Sequence, residues 1–285
     1  MTAFDLGDVI CSATVTGGGG PILFLHGFMG SARDWAPFTP AIGEAHTTVA
    51  IDLLGHGSSS RPTDAARYAL GRQSDDLAAL VDDLGMGPVG IVAYSYGARL
   101  ALRFAIDHPK RVACLALESP SAGLADRAER EERRTSDEVL ADVLERDGIV
   151  AFARHWGEQP VFAAERRLPA AVRAELENRR RANDPAALAA ALRGAGQGAM
   201  AALHDDLSGI AAPTAVLAGA LDDAGLARAR IVAASIPGAS LDVLDDVGHA
   251  PHRESPERFA AWLAATLERI EAPLAVPSSP HRRSP

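Results

Sequence analysis

The sequence predicts an α/β protein: a mostly parallel sheet with helices on both faces, broken once by a helical insertion. Three observations carry this. Short apolar runs alternate with helix-patterned stretches along most of the chain. The alternation stops between about residues 120 and 205, where no convincing strand occurs. And one apolar run, in GIVAYSYGARL (90–100), ends abruptly on Ser95 and passes straight into helix-forming residues.

The strands come first. PILFLHG (21–27), TTVAID (47–52), VGIVAYS (89–95), VACLALE (112–118) and TAVLAG (214–219) read as buried strands, with a further candidate at SLDVLD (240–245). Near-continuous apolar runs, rather than alternating ones, are what a parallel sheet covered on both faces requires. Helical periodicity marks 75–84, 97–107 and 255–270. The intervening stretch, rich in Ala, Arg and Glu, shows further helical patterns at 135–146, 148–156 and 185–193. An insertion of some 85 residues far exceeds an ordinary connection between helix and strand, so a lid over a site is expected. The division is a core of 1–120 and 206–271, a helical lid of 121–205, and a Pro- and Ser-rich tail of 272–285 without apolar periodicity, expected to be mobile.

Composition narrows the function. With 285 residues, 47% of them hydrophobic, the chain can bury a substantial core. A net charge of −9 repels polyanions at long range and argues against a nucleic-acid or membrane-surface binder, so an anionic ligand must be met by local positive charge. Cys11 and Cys114, the two cysteines, are too few for a disulfide framework and lack metal-site spacing. With no signal-peptide pattern and no long uncharged apolar run, a cytoplasmic protein is expected. No phosphate loop or metal cluster is present, and no cofactor is required.

Ser95 stands where ligands bind in open α/β sheets, beyond the carboxyl end of a strand. A serine on a sharp strand–turn–helix is forced into an unusual backbone conformation and needs small neighbours, which Ala93 and Gly97 provide. The usual elbow pattern is G-x-S-x-G; here Ala93 replaces the first glycine. Reactivity requires a base and an acid, and for this elbow the acid follows the serine and the histidine comes last. Asp222 in LAGALDDAG follows a predicted strand, and His249 in DDVGHAPHRESPERF precedes the closing helix. Asp223 and Glu118 are alternative acids, whereas His252, after Pro251, fits a wall or surface position.

Negative charge developing on a substrate needs donors already in place. The backbone amides of Phe28, after His26-Gly27, and of Tyr96, directly after Ser95, form the natural pair, with Gly27 expected to let the backbone approach a ligand. DLLGHGSS (52–59) reads as a structural turn.

Through LHGF, DLLGHGSS, YSYG, GALDD and VGHAPH, in that order, the chain resembles the α/β-hydrolase superfamily over nearly its full length. These motifs are specific for the α/β-hydrolase fold and far less so for the reaction. An aspartate would stand at Ser95 in a haloalkane dehalogenase. The insertion, with LHGFMGSARDW, YSYGAR and GHAPHRESPE, is similar to the 2-succinyl-6-hydroxy-2,4-cyclohexadiene-1-carboxylate synthase (MenH) family of the menaquinone pathway. That resemblance implies a lyase in which the triad removes a proton and pyruvate leaves 2-succinyl-5-enolpyruvyl-6-hydroxy-3-cyclohexene-1-carboxylate, with no acyl-enzyme.

A substrate with several carboxylates demands arginines, because a planar guanidinium matches a carboxylate with two parallel hydrogen bonds. Arg99, one turn beyond Ser95, meets the demand directly. The resemblance also implies Tyr94, Arg133, Trp156 and Arg180 as substrate contacts. The 121–205 stretch holds thirteen arginines and fifteen acids, so most of these arginines belong to solvated or ion-paired helix faces. Arg134 competes with Arg133 for its register, as Arg179 and Arg181 do with Arg180, and Trp156 equally suits anchoring the lid. Two other functions compete: a carboxylesterase or C–C hydrolase with a covalent intermediate, and a non-enzymatic sensor or scaffold, which need not keep all three triad residues.

Overall fold

A computed structural model describes residues 1–271; the expected tail lies outside them. Eight strands, β1 (Thr2–Asp5), β2 (Ile10–Gly17), β3 (Pro21–Leu25), β4 (Thr47–Asp52), β5 (Val89–Tyr94), β6 (Val112–Glu118), β7 (Thr214–Gly219) and β8 (Ser240–Leu244), form one sheet in the order β1-β2-β4-β3-β5-β6-β7-β8. Only the β1–β2 and β2–β4 pairings are antiparallel. From β4 to β8 the sheet is parallel, as the apolar runs predict.

Alternate side chains of the central strands divide between two cores. Leu23, Leu25, Val49, Ile51, Ile91 and Leu117 face one side, and Ile22, Phe24, Ala50, Val92 and Leu217 the other. The first face packs against α2 (Leu70–Leu84), α3 (Tyr96–Asp107) and α7 (Asp223–Ser235). The second is covered by Trp35, Phe38 and α9 (Pro256–Glu271) through Phe259, Leu263 and Leu267. Two single-turn helices, α1 (Thr39–Ile42) and α8 (Pro251–Glu254), complete the core.

Two features depart from the sequence reading. β1 and β2 form an antiparallel edge hairpin that the search for apolar runs misses, because on a half-exposed edge TAFD and ICSATVTG need only scattered apolar residues. β8 exists, but none of its residues is buried: it is the opposite edge of the sheet, so its outer side has no neighbouring strand.

Between β6 and β7 the insertion holds α4 (Arg127–Gly157), α5 (Ala170–Arg181) and α6 (Pro185–Ala195). Asp126 and Asp184 cap α4 and α6, each accepting a backbone N–H at 2.9 Å. α4 is broken at Gly148, whose φ of 76° only glycine adopts readily. A third apolar cluster, with Leu144, Phe152, Leu188 and Leu192 around Met29, seats the insertion on the loop after β3.

Candidate active site

Ser95 joins β5 to α3 with φ 50° and ψ −102°, a conformation that costs about 1–3 kcal/mol and persists only when its surroundings enforce it. They do so from two sides. The Ser95 N–H donates to the Glu118 carbonyl at the end of β6 (2.9 Å), and the Gly97 N–H donates to the His26 carbonyl beyond β3 (3.1 Å). A Cβ at position 97 would lie 2.5 Å from the Leu25 carbonyl oxygen and 2.7 Å from that of His26, so the second elbow glycine is obligatory. Ala93, in place of the first, is fully buried within the strand.

The residues that chain order singled out meet here. Ser95 Oγ lies 2.9 Å from His249 Nε2, and His249 Nδ1 lies 2.6 Å from Asp222 Oδ2. Asp222 also caps α7, accepting the Gly225 N–H at 2.9 Å. Burial alone would raise its pKa, but the His249 hydrogen bond and charge, with the Gly225 N–H, outweigh burial and hold the carboxyl below its ordinary value. Of the alternative acids, Asp223 is exposed and Glu118 accepts from the His252 N–H and Nδ1 at 2.9 and 2.8 Å. His252 is accordingly buried, stacked on Trp35, rather than a surface residue. The loop carrying His249 is held at two further points: Ser119 Oγ donates to the His249 carbonyl, and Glu254 accepts the N–H groups of Gly248 and Ala250.

The loop after β3 is held by histidines that sequence reasoning left unassigned. Burial pushes the pKa of His56 down to about 3, so its ring is neutral, and Nε2 accepts the Met29 N–H at 3.2 Å while Nδ1 donates to Leu54. His26, also pushed down by burial, accepts the Leu53 N–H and donates to the Gly27 carbonyl. Asp52 ties the DLLGHGSS turn to the same loop through the N–H groups of Ala32 and Ser58. The backbone N–H groups of Phe28 and Tyr96 donate to no other group among the described residues. Gly27 is required for a reason other than the expected one: a Cβ there would meet the Tyr94 ring at 2.5 Å, so a neighbouring side chain, not a ligand, takes the space.

A cavity of about 400 Å³ opens on Ser95 and His249 and is lined by Phe28, Tyr94, Tyr96, Trp156 and four arginines, 99, 133, 228 and 253. Arg99 is buried, donates to the Ala195 carbonyl at 2.8 Å and lies over the Tyr96 ring, without a carboxylate partner among the described residues. Desolvation lowers its pKa to about 10, which leaves it charged at neutral pH. Arg133 lines the cavity and donates through Nε to the buried Asp137 at 2.8 Å; Arg134 does not line it. Trp156 packs against Phe28 at 5.1 Å while lining the cavity, so it both anchors the insertion and forms wall.

Arg180 is the exception. It lies outside the cavity wall, over the Phe162 ring and 2.6 Å from Glu165, which takes up its charge within the insertion. Arg253 enters the wall in its stead, paired with Asp34 at 2.9 Å and Glu165 at 3.3 Å.

With this geometry in hand, the alpha/beta hydrolase fold model matches residues 20–256. The chain belongs to the alpha/beta hydrolase fold family. Within that family, a Bacillus subtilis protein provisionally assigned as 2-succinyl-6-hydroxy-2,4-cyclohexadiene-1-carboxylate synthase is 34% identical over 87% of this chain and 90% of its own. The synthase of that name from Klebsiella pneumoniae is 32% identical over 91% and 99%. Among solved structures, MenH from S. aureus superposes with a TM-score of 0.87 at 28% identity, covering 91% of this chain and 98% of its own. A thermophilic esterase from Thermogutta terrifontis, solved with malate bound, gives 0.81 at 26%, over 92% and 94%.

The residues that the sequence left without a role are those whose partners lie far along the chain. His26, Asp52 and His56 stand in quoted motifs but act through contacts between strands, and Arg228 and Arg253 lie in helices where an arginine reads as solvated surface. No local signal in the sequence separates these arginines from their neighbours.

Proposed function

We propose that this chain is a lyase that eliminates pyruvate from 2-succinyl-5-enolpyruvyl-6-hydroxy-3-cyclohexene-1-carboxylate, giving 2-succinyl-6-hydroxy-2,4-cyclohexadiene-1-carboxylate. The observation that carries this reading is Arg99: a buried guanidinium in the wall of the Ser95 cavity with no carboxylate in ion-pair contact among the described residues. An unpaired buried charge is costly, and a substrate carboxylate with two parallel hydrogen bonds offsets that cost. The names of the relatives point the same way, since that synthase's substrate carries several carboxylates.

In this reading His249 takes the Ser95 proton, and the Ser95 oxygen removes a proton from the substrate ring. The electron pair of the C2–H bond becomes the C2=C3 double bond, the C3=C4 pair shifts to C4=C5, and the C5–O bond to the enolpyruvyl group breaks. The leaving enolate takes a proton from the imidazolium and departs as pyruvate. Asp222 stays ionised to face the imidazolium. The amides of Phe28 and Tyr96 stabilise charge developing on substrate oxygen. Arg99 holds a carboxylate, Arg133, tied through Nε to Asp137, contacts the substrate beside it, Tyr94 and Trp156 form walls, and the insertion acts as the lid. A cytoplasmic setting, where the precursor is soluble, belongs to the same reading.

A second reading, ester or C–C hydrolysis through an acyl-Ser95 intermediate, is favoured by the same Ser95 geometry and by the esterase likeness. One experiment separates them: purified protein is given the enolpyruvyl precursor while diene absorbance and pyruvate are followed, and an activated ester is run in parallel. The lyase reading requires diene and pyruvate in equal amounts, loss of both in Ser95→Ala, and little ester turnover. A burst with the ester and no diene would replace it with the second.

A further inference from the structure

The geometry points to Arg228 as a second anion anchor of the cavity, holding a carboxylate distinct from the one held by Arg99; it deepens the reading above, from which it takes a substrate with more than one carboxylate. Arg228 lies on α7, the helix that Asp222 caps, and its side chain, half-buried, lines the Ser95 cavity. Among the described residues it forms no ion pair, and its charge reaches Asp222 only as the smallest of the influences that lower that carboxyl's pKa. The other cations of the wall differ. Arg133 is engaged by Asp137, and Arg253 by Asp34 and Glu165. The two wall arginines without an ion pair among the described residues are therefore Arg99, on the helix that begins after Ser95, and Arg228, on the helix that begins after Asp222.

This placement has a chemical consequence. Two unpaired guanidiniums, entering one cavity from two different helices, suit a ligand with two separated carboxylates rather than a monoanion. The Asp222 carboxylate does not remove this demand, because it is already taken by His249 and the Gly225 N–H. Arg180, which the sequence suggested for such a contact, is neutralised by Glu165 outside the wall. Arg228, six residues beyond the Asp222 that caps α7, lines the cavity where Arg180 does not.

The test uses linear dicarboxylates from succinate to suberate, each against the monocarboxylate of equal length, titrated calorimetrically into the full chain, Arg228→Ala and Arg99→Ala. At one or more lengths the dicarboxylate is expected to bind the unaltered chain about tenfold more tightly than its partner, as one further charge-assisted contact gives. That gain should vanish in Arg228→Ala with monocarboxylate binding unchanged. No gain at any length, or a gain that survives in Arg228→Ala, overturns the assignment. Because these are binding measurements, they decide Arg228 even if the enolpyruvyl precursor proves not to be the substrate. Where turnover is seen, Arg228→Ala should raise KM about tenfold and leave kcat unchanged. A lowered kcat with a shifted acid limb of the pH profile would instead mean that Arg228 serves Asp222 and not the ligand.

Discussion

Arg99 condenses the chemistry of this site into one side chain. It is buried beside Ser95, remains charged although desolvation lowers its pKa to about 10, and among the described residues donates to a carbonyl and the Met200 sulfur. Replacing it with Ala is expected to lower kcat/KM for the enolpyruvyl precursor about 100-fold, whereas Arg146→Ala, on an exposed Asp147 pair, should change nothing measurable. Arg99→Lys should recover only part of the loss, because a point charge cannot reproduce two parallel hydrogen bonds. Steady-state rates of diene formation check this, and equal effects of Arg99→Ala and Arg146→Ala would remove Arg99 from the site. At this scale the sequence was highly legible: spacing and chain order alone selected Ser95, Asp222 and His249, which the fold brings to within 2.9 and 2.6 Å of one another.

Among the elements, the insertion meets the core through buried charge as well as apolar contact. Asp34, before Trp35, accepts from Arg179 of α5 at 3.0 Å and from Arg253 of α8 at 2.9 Å, and Glu165 joins Arg180 to Arg253. Burial would raise the Asp34 pKa, but the Arg253 charge, with that of Arg179, brings it down to about 2. Asp34→Asn leaves two guanidiniums without their shared anion, and a stability loss of about 3 kcal/mol is expected from urea unfolding. A loss below about 1 kcal/mol would mean that the apolar cluster around Met29 alone seats the insertion. Periodicity found the insertion and its helical character. It could not find the pairing, because Arg179, Arg180 and Arg181 look alike along one helix and only docking against the core tells them apart.

Over the whole molecule, buried neutral histidines tie stability to pH. His56 has a folded pKa of about 3 against an ordinary value of about 6.5, so the unfolded chain binds the extra proton between these values. Stability is therefore complete above about pH 6.5 and is lost as pH falls, by about 2 kcal/mol between pH 7 and pH 5 from His56 alone. His26 acts in the same direction. His56→Gln keeps an acceptor for the Met29 N–H without a titrating ring, so its stability should fall less steeply over that range. Urea midpoints at several pH values check this, and parallel curves for the two proteins would exclude His56 as the source. The −9 net charge sets solubility and repels polyanions, yet the cavity is lined by arginines: the local field opposes the global one.

The sequence by itself determined the parallel core, the place of the insertion and which Ser, His and Asp are hydrogen-bonded to one another, because each of these is written in local periodicity, in turn chemistry or in order along the chain. Tertiary structure decided which arginines reach the cavity, that Glu165 claims Arg180, and that neutral histidines hold the Phe28 loop. The reason is physical: a charged side chain becomes a ligand contact or a structural pair according to which opposite charge lies within a few ångströms, and that distance exists only once the chain has folded.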